Sequence, residues 1–577
     1  MRNFKLPGKL EINSAFASFS HREWIVFTVF MGILLVSTLG ILESINKTLM
    51  VSVPMRGGSI AEGIVGTPRF INPVLASSLS DQDLVALIYS GLMRKNPDGT
   101  LSPDLAERVE ESKDGLTYTF TLKDKIYFHN GAPVTADDII FTISKIKDEV
   151  IESPHKADWE GITVEKIGEK TIKFTLRQPY ALFLENATLG ILPAGIWQNS
   201  PIELNPANTN PIGSGPYMIE NIYRQSSGII DSYELVPFGD FVLGQPYVKD
   251  LTLRFYPNEG DLINALEGGQ VNQISSIAPH NTETLEEKDY QLESSVLPRI
   301  FGLFFNQSQN QLFIDKTVVR AIDEAIDKEK IVREVLLGYG VAIDDPIPSN
   351  LIAYQKLNQE NNISREETFK KVESDLAKAG WVRGADGFLE KTKTEGGKKT
   401  TTKLEFTIST GNARELAEAA LLIEQDLRDV GMKVDIKTFE AGNLNQAVIR
   451  PRKYDALLFG QIINHESDLY AFWHSSQRKD PGLNVAMYTN VKVDKLLEDA
   501  SITADSVARI KKYIEFEDEI KKDMPAVFLY SPDFIYVVSK NLKGNSIDYV
   551  SSPKDRFSDV YAWYTDTENV WKIFARN

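Results

Sequence analysis

The chain has no cysteine among its 577 residues. Without a thiol there is no disulfide, no cysteine nucleophile, no cysteine-ligated zinc and no thioether lipid anchor. Histidine is scarce as well, with six residues spread along the chain. We find no G-x-S-x-G elbow, no Walker A sequence and no H-E-x-x-H motif. The sequence therefore predicts a protein that is not an enzyme, with no catalytic residue, no metal site and no cofactor.

An excess of positive charge is also lacking, since the formal net charge is −17. Nucleic acid and anionic membrane surfaces would repel such a chain, which argues against both as binding partners. Hydrophobic residues make up 42% and aromatic residues 10% of the sequence, an ordinary globular composition. Because the length exceeds what one hydrophobic core usually serves, we expect two or more lobes.

One segment near the N-terminus lacks charge altogether. Residues 24–42 read "WIVFTVFMGILLVSTLGIL". As a helix this segment is about 28 Å long, close to the ~30 Å thickness of the hydrocarbon layer. Four basic residues precede it: Arg2, Lys5, Lys9 and Arg22. By the positive-inside tendency, the segment predicts a transmembrane anchor with its N-terminal side in the cytoplasm.

A cleaved signal peptide is the alternative interpretation of this segment, because Ser37 and Gly40 are small. The apolar run is long for a signal core, however, and has no A-x-A-like ending. We therefore predict a cytoplasmic segment 1–23, an anchor 24–42, a linker 43–52 and an extracytoplasmic globular part, periplasmic or at the cell surface.

The stretch "KIYFHNGAPVTADDIIFT", residues 125–142, places a histidine, an asparagine and two aspartates close together. Each has a structural explanation. Asn130 and Gly131 are typical of a tight turn. Thr135 is placed as a helix N-cap with Asp138 as its capping-box partner. His129 has no second ligand at metal-binding spacing. The stretch predicts a corner of the fold and not a metal or catalytic site.

A strand–helix–strand pattern covers residues 402–439, and "YDALLFG" at 454–460 adds another apolar strand. Four residues keep the helical spacing: Leu416, Ala420, Ile423 and Leu427. Gly431 is placed to end this helix. Units of this kind are typical of an α/β sheet that contains parallel strands.

Several segments resemble one known family, in that family's order. They are "LSPDLAERVEESKDGLTYTFTLKDKIYFHNGAPVTADDIIFTISKI" (101–146), "NPIGSGPYMIE" (210–220), the segment 304–348 that begins "FFNQSQ", and "DLYAFWHSSQ" followed by "NVAMYTNVKVDKLLEDA" (468–500). On these residues the chain resembles the extracellular solute-binding proteins, family 5, of ABC importers. The resemblance covers nearly the whole chain from about residue 55.

The resemblance implies an α/β architecture, the type II periplasmic-binding-protein fold. Two lobes would be joined by two hinge crossings, near "SVLPRIFGLFFN" and "FIYVVSKNLKGN", and an extra α+β domain would be inserted in the first lobe. The expected boundaries are 53–90, 205–298 and 545–577 for lobe I, 91–204 for the inserted domain and 299–544 for lobe II.

The resemblance also implies a function, that of a receptor which binds short peptides in the cleft between the lobes and delivers them to a membrane permease. Its expected partners are the solute and the permease and ATPase subunits of an importer, and we expect a monomer. Alternatives are the same fold binding an oligosaccharide or a metal chelate, and a tethered sensor that transports nothing.

Family members commonly bind a peptide's amino group with an acidic residue, and the matching region here offers Glu466 and Asp468. An alternative role for Asp468 is to cap the segment that follows it. The segment "QII" after Gly460 departs from the small-aromatic-acidic run that is frequent in the family.

Five further residues are expected to bind ligand. Phe305, Asn306 and Ser308 follow the first crossing, where strand core and turn are the alternative roles. Tyr217 and Trp473 are candidates for lining the cleft, with burial in the α/β core as the alternative.

Overall fold

The computed structural model describes residues 8–180, 182–286, 290–348, 364–395, 398–466, 468–503 and 505–575. Its helices are α1 (Lys9–Ala17), α2 (His21–Leu49), α3 (Leu79–Ile88), α4 (Ala136–Lys147), α5 (Phe183–Asn186), α6 (Ala194–Trp197), α7 (Glu259–Glu267), α8 (Glu283–Glu286), α9 (Lys316–Ala325), α10 (Lys328–Glu334), α11 (Arg365–Lys378), α12 (Arg414–Asp429), α13 (Ala441–Asn443), α14 (Asp468–Trp473), α15 (Val491–Ser501) and α16 (Ser506–Asp523).

The strands are β1 (Met50–Met55), β2 (Gly57–Val65), β3 (Met93–Lys95), β4 (Leu101–Pro103), β5 (Ala106–Glu111), β6 (Thr117–Leu122), β7 (Ile162–Gly168), β8 (Thr171–Leu176), β9 (Tyr217–Arg224), β10 (Ile230–Pro237), β11 (Val248–Tyr256), β12 (Gln273–Ser275), β13 (Tyr290–Val296), β14 (Arg299–Phe305), β15 (Gly340–Ala342), β16 (Val382–Arg383), β17 (Leu389–Glu395), β18 (Lys398–Lys403), β19 (Glu405–Gly411), β20 (Lys433–Phe439), β21 (Ala456–Ile462), β22 (Ala526–Ser539) and β23 (Asp566–Trp571).

The chain divides into two compact units, and the smaller one joins the residues up to Arg56 with those from Tyr564 onward. Its long helix α2 begins at a capping box between Ser20 and Glu23 and is apolar and long enough to cross a membrane. The helix runs to Leu49 without a break, and β1 follows and pairs with β23 in antiparallel register.

This arrangement differs from the predicted linker at 43–52, because these residues form the last turns of α2 and the start of β1. The residues from Tyr564 onward, predicted as part of lobe I, lie in the smaller unit instead. The physical reason is that β23 supplies the hydrogen-bond partners that make β1 a strand.

The larger unit, Gly57–Trp563, contains one sheet in the order β20-β19-β21-β14-β22-β12-β2-β11-β10-β9, with β13 and β15 also paired to β22. Strand β22 is 14 residues long and belongs to both halves of this sheet. Its first part pairs with β14 and its last part with β12 and β13. We call the parts on either side the first half, which includes β2, and the second half, which includes β19.

Two chain crossings connect the halves. One lies between Val296, the end of β13, and Arg299, the start of β14. The other lies within β22 around Pro532, whose carbonyl accepts a hydrogen bond from the backbone N–H of Leu297. The first crossing lies in the predicted hinge segment, and the second lies just before its predicted segment.

In the second half, β19 lies parallel to both β20 and β21, and α12 connects β19 to β20. The predicted strand–helix–strand unit is confirmed, including a left-handed φ of +88° at Gly431 after the helix. Apolar residues cover both faces of this sheet, with Ile408 and Ile423 in the cluster on one face and Leu457 and Phe516 in the cluster on the other. The result is the layered α/β packing that parallel strands require.

In the first half, β2 lies between β11 and β12 and is parallel to both. One apolar cluster on this sheet extends into the antiparallel sheet β5-β6-β8-β7 and its helix α4. The predicted corner leads into that helix, with Thr135 and Asp138 forming the capping box and Gly131 at φ +81°. His129 is bonded on both ring nitrogens, to the carbonyl of Gly215 at 3.1 Å and the N–H of Gly213 at 3.3 Å.

A buried ion-pair network lies in the first half and joins residues that are far apart in the sequence. The Arg556 guanidinium makes a bidentate contact with Asp83 at 2.7–2.8 Å and a further bond to Glu62 at 2.6 Å. The Tyr536 hydroxyl lies 3.0 Å from the other oxygen of Glu62. Arg556 and Glu62 are fully buried. Burial opposes the charge on Arg556, but the two carboxylates outweigh burial and raise its pKa.

Candidate functional site between the two halves

The two halves present the carboxyl ends of their parallel strands to each other. In an open α/β sheet, ligands bind outside these ends. A contact between the turn after β12 and the first turn of α12 places these ends next to each other. His280, which follows β12, has its Nδ1 3.5 Å from a carboxylate oxygen of Glu415, which lies just after β19.

A second contact joins the halves through the end of β21. His465 Nδ1 lies 2.5 Å from a carboxylate oxygen of Glu185 in α5. Phe183 beside Glu185 packs in the core of the first half, whereas Ile463 beside His465 packs in the core of the second half. Each of these bridges therefore pairs one histidine with one glutamate of the opposite half.

The charge of His465 is set by its burial and by three surrounding charged groups. Burial disfavours the imidazolium, and the charge of Lys95 acts in the same direction. The hydrogen bond and charge of Glu185, with the charge of Asp468, outweigh these effects and raise the pKa of His465. A raised pKa means that the protonated form of His465 is stabilised by its contact with Glu185.

We expect closure to weaken as the pH rises. The charge of His465 stabilises the contact between the halves. This stabilisation is fully present below the ordinary histidine pKa near 6.5 and is lost as the pH rises through the raised pKa. The side chains of His465 and Glu185 are 38% and 30% exposed, so screening limits the effect to about 1 kcal/mol, or about fivefold in the ratio of closed to open protein.

Because the chain has no cysteine, a nitroxide pair at Ile229→Cys and Leu421→Cys can report the distance between the halves. Pulsed EPR should show a larger closed fraction at pH 6 than at pH 8. His465→Gln should abolish most of this difference. His155→Gln is the matched control, because the ion-pair partner of His155 among the described residues is Asp158, in its own half. An equal pH response in both variants would contradict the prediction.

Polar side chains at the end of β21 have unused hydrogen-bonding capacity. Gln461 Oε1 and Asn464 Oδ1 are buried and have no partner among the described residues. Arg299 Nε, at the start of the paired strand β14, is also buried without a hydrogen-bond partner among the described residues. Between them the backbone N–H of Ile463 donates to the carbonyl of Pro298 at 2.8 Å. Unsatisfied buried groups are costly, so this site is suited to a ligand with both donors and acceptors.

The two predicted acidic residues lie at this site but are already paired. Glu466 Oε2 accepts a hydrogen bond from Arg509 at 2.7 Å, and both side chains are 12% exposed. Asp468 Oδ2 accepts from the backbone N–H of His465 at 3.0 Å and begins helix α14. Burial raises the pKa of Asp468. The helix-start position expected as the alternative role of Asp468 is thus present, and a ligand contact for either residue stays a prediction.

The structure does not bring Phe305, Asn306 and Ser308 together with this site. In the antiparallel register Phe305 is opposite Ala456, the first residue of β21, whereas the candidate site is at the last residue. Phe305 stacks on Phe313 with 4.4 Å between ring centroids, and Ser308 is exposed. Their ligand contacts stay a prediction that this register does not favour.

The two predicted aromatic residues lie in the cores of different halves. Tyr217 is fully buried in the first half and donates its hydroxyl to the carbonyl of Val248 at 3.0 Å. Trp473 is fully buried in the second half beside Phe528, with 5.9 Å between ring centroids. Both have the core position that was the alternative expectation, and their ligand role is untested by this arrangement.

Sequence reasoning missed the residues at which the halves meet, Glu185, His280 and Glu415, and it did not single out Gln461 or Asn464. A local signal existed for the last two, because both are polar and follow directly on the apolar strand "YDALLFG". No local signal marks the bridging pairs, since their members come from distant parts of the chain.

The model of the family described as "Bacterial extracellular solute-binding proteins, family 5 Middle" matches residues 100–481. The chain belongs to this family. Its members bind solutes outside the cytoplasm, and the resemblance predicted from the sequence is confirmed.

Relatives in this family match over most of the chain. The oligopeptide-binding protein AppA of Bacillus subtilis is 29% identical over 521 residues, which cover 89% of this chain and 92% of that protein. The structure of AppA in complex with a nonapeptide superimposes with a TM-score of 0.66 at 28% identity, covering 89% and 100% of the two chains. The structure of NikZ from Campylobacter jejuni in complex with Ni(L-His) superimposes with a TM-score of 0.67 at 26% identity, covering 88% of this chain and 99% of that chain. These likenesses confirm the predicted α/β solute-binding fold.

Proposed function

We propose that this protein is the extracytoplasmic receptor of an ABC importer, acting as a monomer that binds short peptides between its two halves. The observation that carries the proposal is the match along nearly the whole chain to AppA, an oligopeptide-binding protein whose structure holds a nonapeptide. Permease and ATPase subunits would take over the peptide from the closed receptor.

The chemistry of the candidate site supports a peptide ligand. Oxygen acceptors on Gln461 and Asn464 and the Nε donor of Arg299 lie at paired strand ends without partners among the described residues. An extended peptide offers alternating N–H and C=O groups to such a site and leaves its side chains free to vary. A ligand that contacts both halves would add to the His280–Glu415 and His465–Glu185 bridges and favour the closed form.

We further propose that α2 is retained as a membrane anchor. The helix continues from His21 to Leu49 and leads directly into β1, which is paired with β23. The indole Nε1–H of Trp571 in β23 donates to Asn46 in the helix at 2.7 Å. The end of the helix is thus part of the folded unit, which favours an anchor over a removable signal peptide.

A nickel–histidine chelate is the second candidate ligand. It is favoured by the match to NikZ and by the position of His280 and His465 at the facing strand ends. In this structure each of these histidines is paired with a glutamate, so it would have to give up that partner to bind a metal.

Native mass spectrometry of the full chain in detergent tests the peptide proposal. A ladder of adducts with the masses of short peptides is the expected result. A single adduct with the mass of a nickel chelate or a sugar would overturn peptide binding and keep the receptor. A site that stays empty after incubation with peptide mixtures would favour a sensor.

A matched pair of variants tests where the peptide binds. With an identified peptide, Asn464→Ala should weaken affinity measured by calorimetry by about 0.5–1.5 kcal/mol, the net value of one hydrogen bond. Ser308→Ala should leave it unchanged, because Ser308 lies beyond the far end of β14. The opposite ranking would place the ligand at the other edge of the sheet.

A further inference from the structure

The last described residues of the chain lie against the end of the long helix. Because β23 is antiparallel to β1, with Met50 opposite Trp571, the chain runs back toward α2 as it leaves β23. The backbone N–H of Lys572 donates to the carbonyl of Leu49, the last residue of the helix, at 2.8 Å. Residues 572–575 therefore lie beside the last turn of α2.

The depth of this contact follows from the helix geometry. The charge-free run ends at Leu42, and Asn46, the hydrogen-bond partner of Trp571, lies four residues farther along the same helix. Four residues correspond to about 6 Å along the axis. The polar layer on each side of the hydrocarbon is about 5–7 Å thick, so Trp571 lies at the depth of that layer if α2 spans the bilayer.

The side chains at this depth are apolar and lack a covering surface in the described structure. Trp571, Ile573 and Phe574 are 45%, 77% and 71% exposed. The backbone N–H groups of Phe574 and Ala575 donate to the carbonyl of Trp571, so the chain turns within these residues. Tryptophan is enriched at the membrane–water interface, where an apolar ring with one donor fits both environments.

We propose that Trp571, Ile573 and Phe574 form a second membrane contact, seated in the outer interfacial layer of the bilayer that α2 spans. The inference rests on the proposed anchor. Lys572 lies between Trp571 and Ile573 in the sequence and adds one positive charge to this segment, whereas Lys47 in α2 is paired with Glu43 at 2.7 Å. The membrane is thereby contacted by two segments that are far apart in the sequence, α2 and the residues after β23.

Site-directed spin labelling of the full chain in lipid vesicles tests the proposal, and the absence of cysteine makes each label unique. A nitroxide at Phe574→Cys should be accessible to oxygen and shielded from a water-soluble nickel complex in power-saturation EPR. A nitroxide at Ile573→Cys should behave in the same way, which covers the loss of the phenyl ring in the first variant. The matched control Glu568→Cys, on β23 but three residues farther from the helix, should be open to the nickel complex.

A label at Leu35→Cys, in the middle of the apolar run, tests the anchor separately. If the Leu35 label lies in lipid while both the 573 and 574 labels are as open to water as the 568 label, the second contact is overturned and the anchor stands. If the 573 and 574 labels are shielded from both reagents, the apolar residues are covered by protein, which also overturns the proposal. A Leu35 label open to water removes the anchor and the second contact together.

Discussion

Replacing Arg556 by methionine is expected to lower the free energy of unfolding by about 3–5 kcal/mol, since the change leaves two buried carboxylates without their counter-charge. Glu62 and Asp83 are 0% and 2% exposed and have the guanidinium as their shared partner. Burial already raises the pKa of Glu62 despite Arg556. Urea denaturation followed by circular dichroism measures the loss.

Two further variants test whether the loss of stability comes from the unpaired buried charges. Arg108→Met removes an exposed partner of Glu110 and should cost at most about 1 kcal/mol. Adding Glu62→Leu and Asp83→Leu to Arg556→Met removes the unpaired charges and should recover part of the lost stability. If the triple variant is less stable than Arg556→Met alone, packing and not charge explains the effect.

Gly213→Ala is expected to destabilise the first half by about 1–3 kcal/mol or more, the cost of forcing an extra methyl group into a packed interior. A Cβ atom at this position would lie 1.9 Å from the carbonyl oxygen of Ile88, a backbone atom that cannot rotate away. That carbonyl also accepts the N–H of Gly215, so moving it would disturb a second contact.

Thermal unfolding of the alanine variant measures this cost against a neutral glycine. Gly195 lies in α6 with open space around its missing Cβ, and Gly195→Ala should change stability little or raise it slightly. Equal melting temperatures for the two variants would show that the turn around Gly213 adapts at no cost.

Local patterns predicted the local structure well. The capping box of Thr135 and Asp138, the left-handed Gly131 and the α12 unit between parallel strands all follow from residues close together in the sequence. Such features depend on hydrogen-bonding capacity and side-chain periodicity, which a single sequence shows directly.

The candidate site could not be derived in the same way, because its geometry depends on long-range packing. Glu466 and Asp468 were selected for their charge, but Arg509 and the backbone of His465 already contact them. Phe305 follows the first crossing in sequence, yet strand β14 carries it to the far edge of the sheet. The linker prediction at 43–52 missed β1 for the same reason, since its partner β23 lies at the other end of the chain.

The way in which the chain is divided between the halves has a consequence for its synthesis. The second half uses one continuous stretch, from β14 into the start of β22, so its strands can pair as soon as that stretch is available. The first half needs Glu62 and Arg556, which are 494 residues apart. Because distant contacts form only after the intervening chain is present, the half whose sequence begins first is the last to be completed. Until then the strands of the first half remain without their final partners.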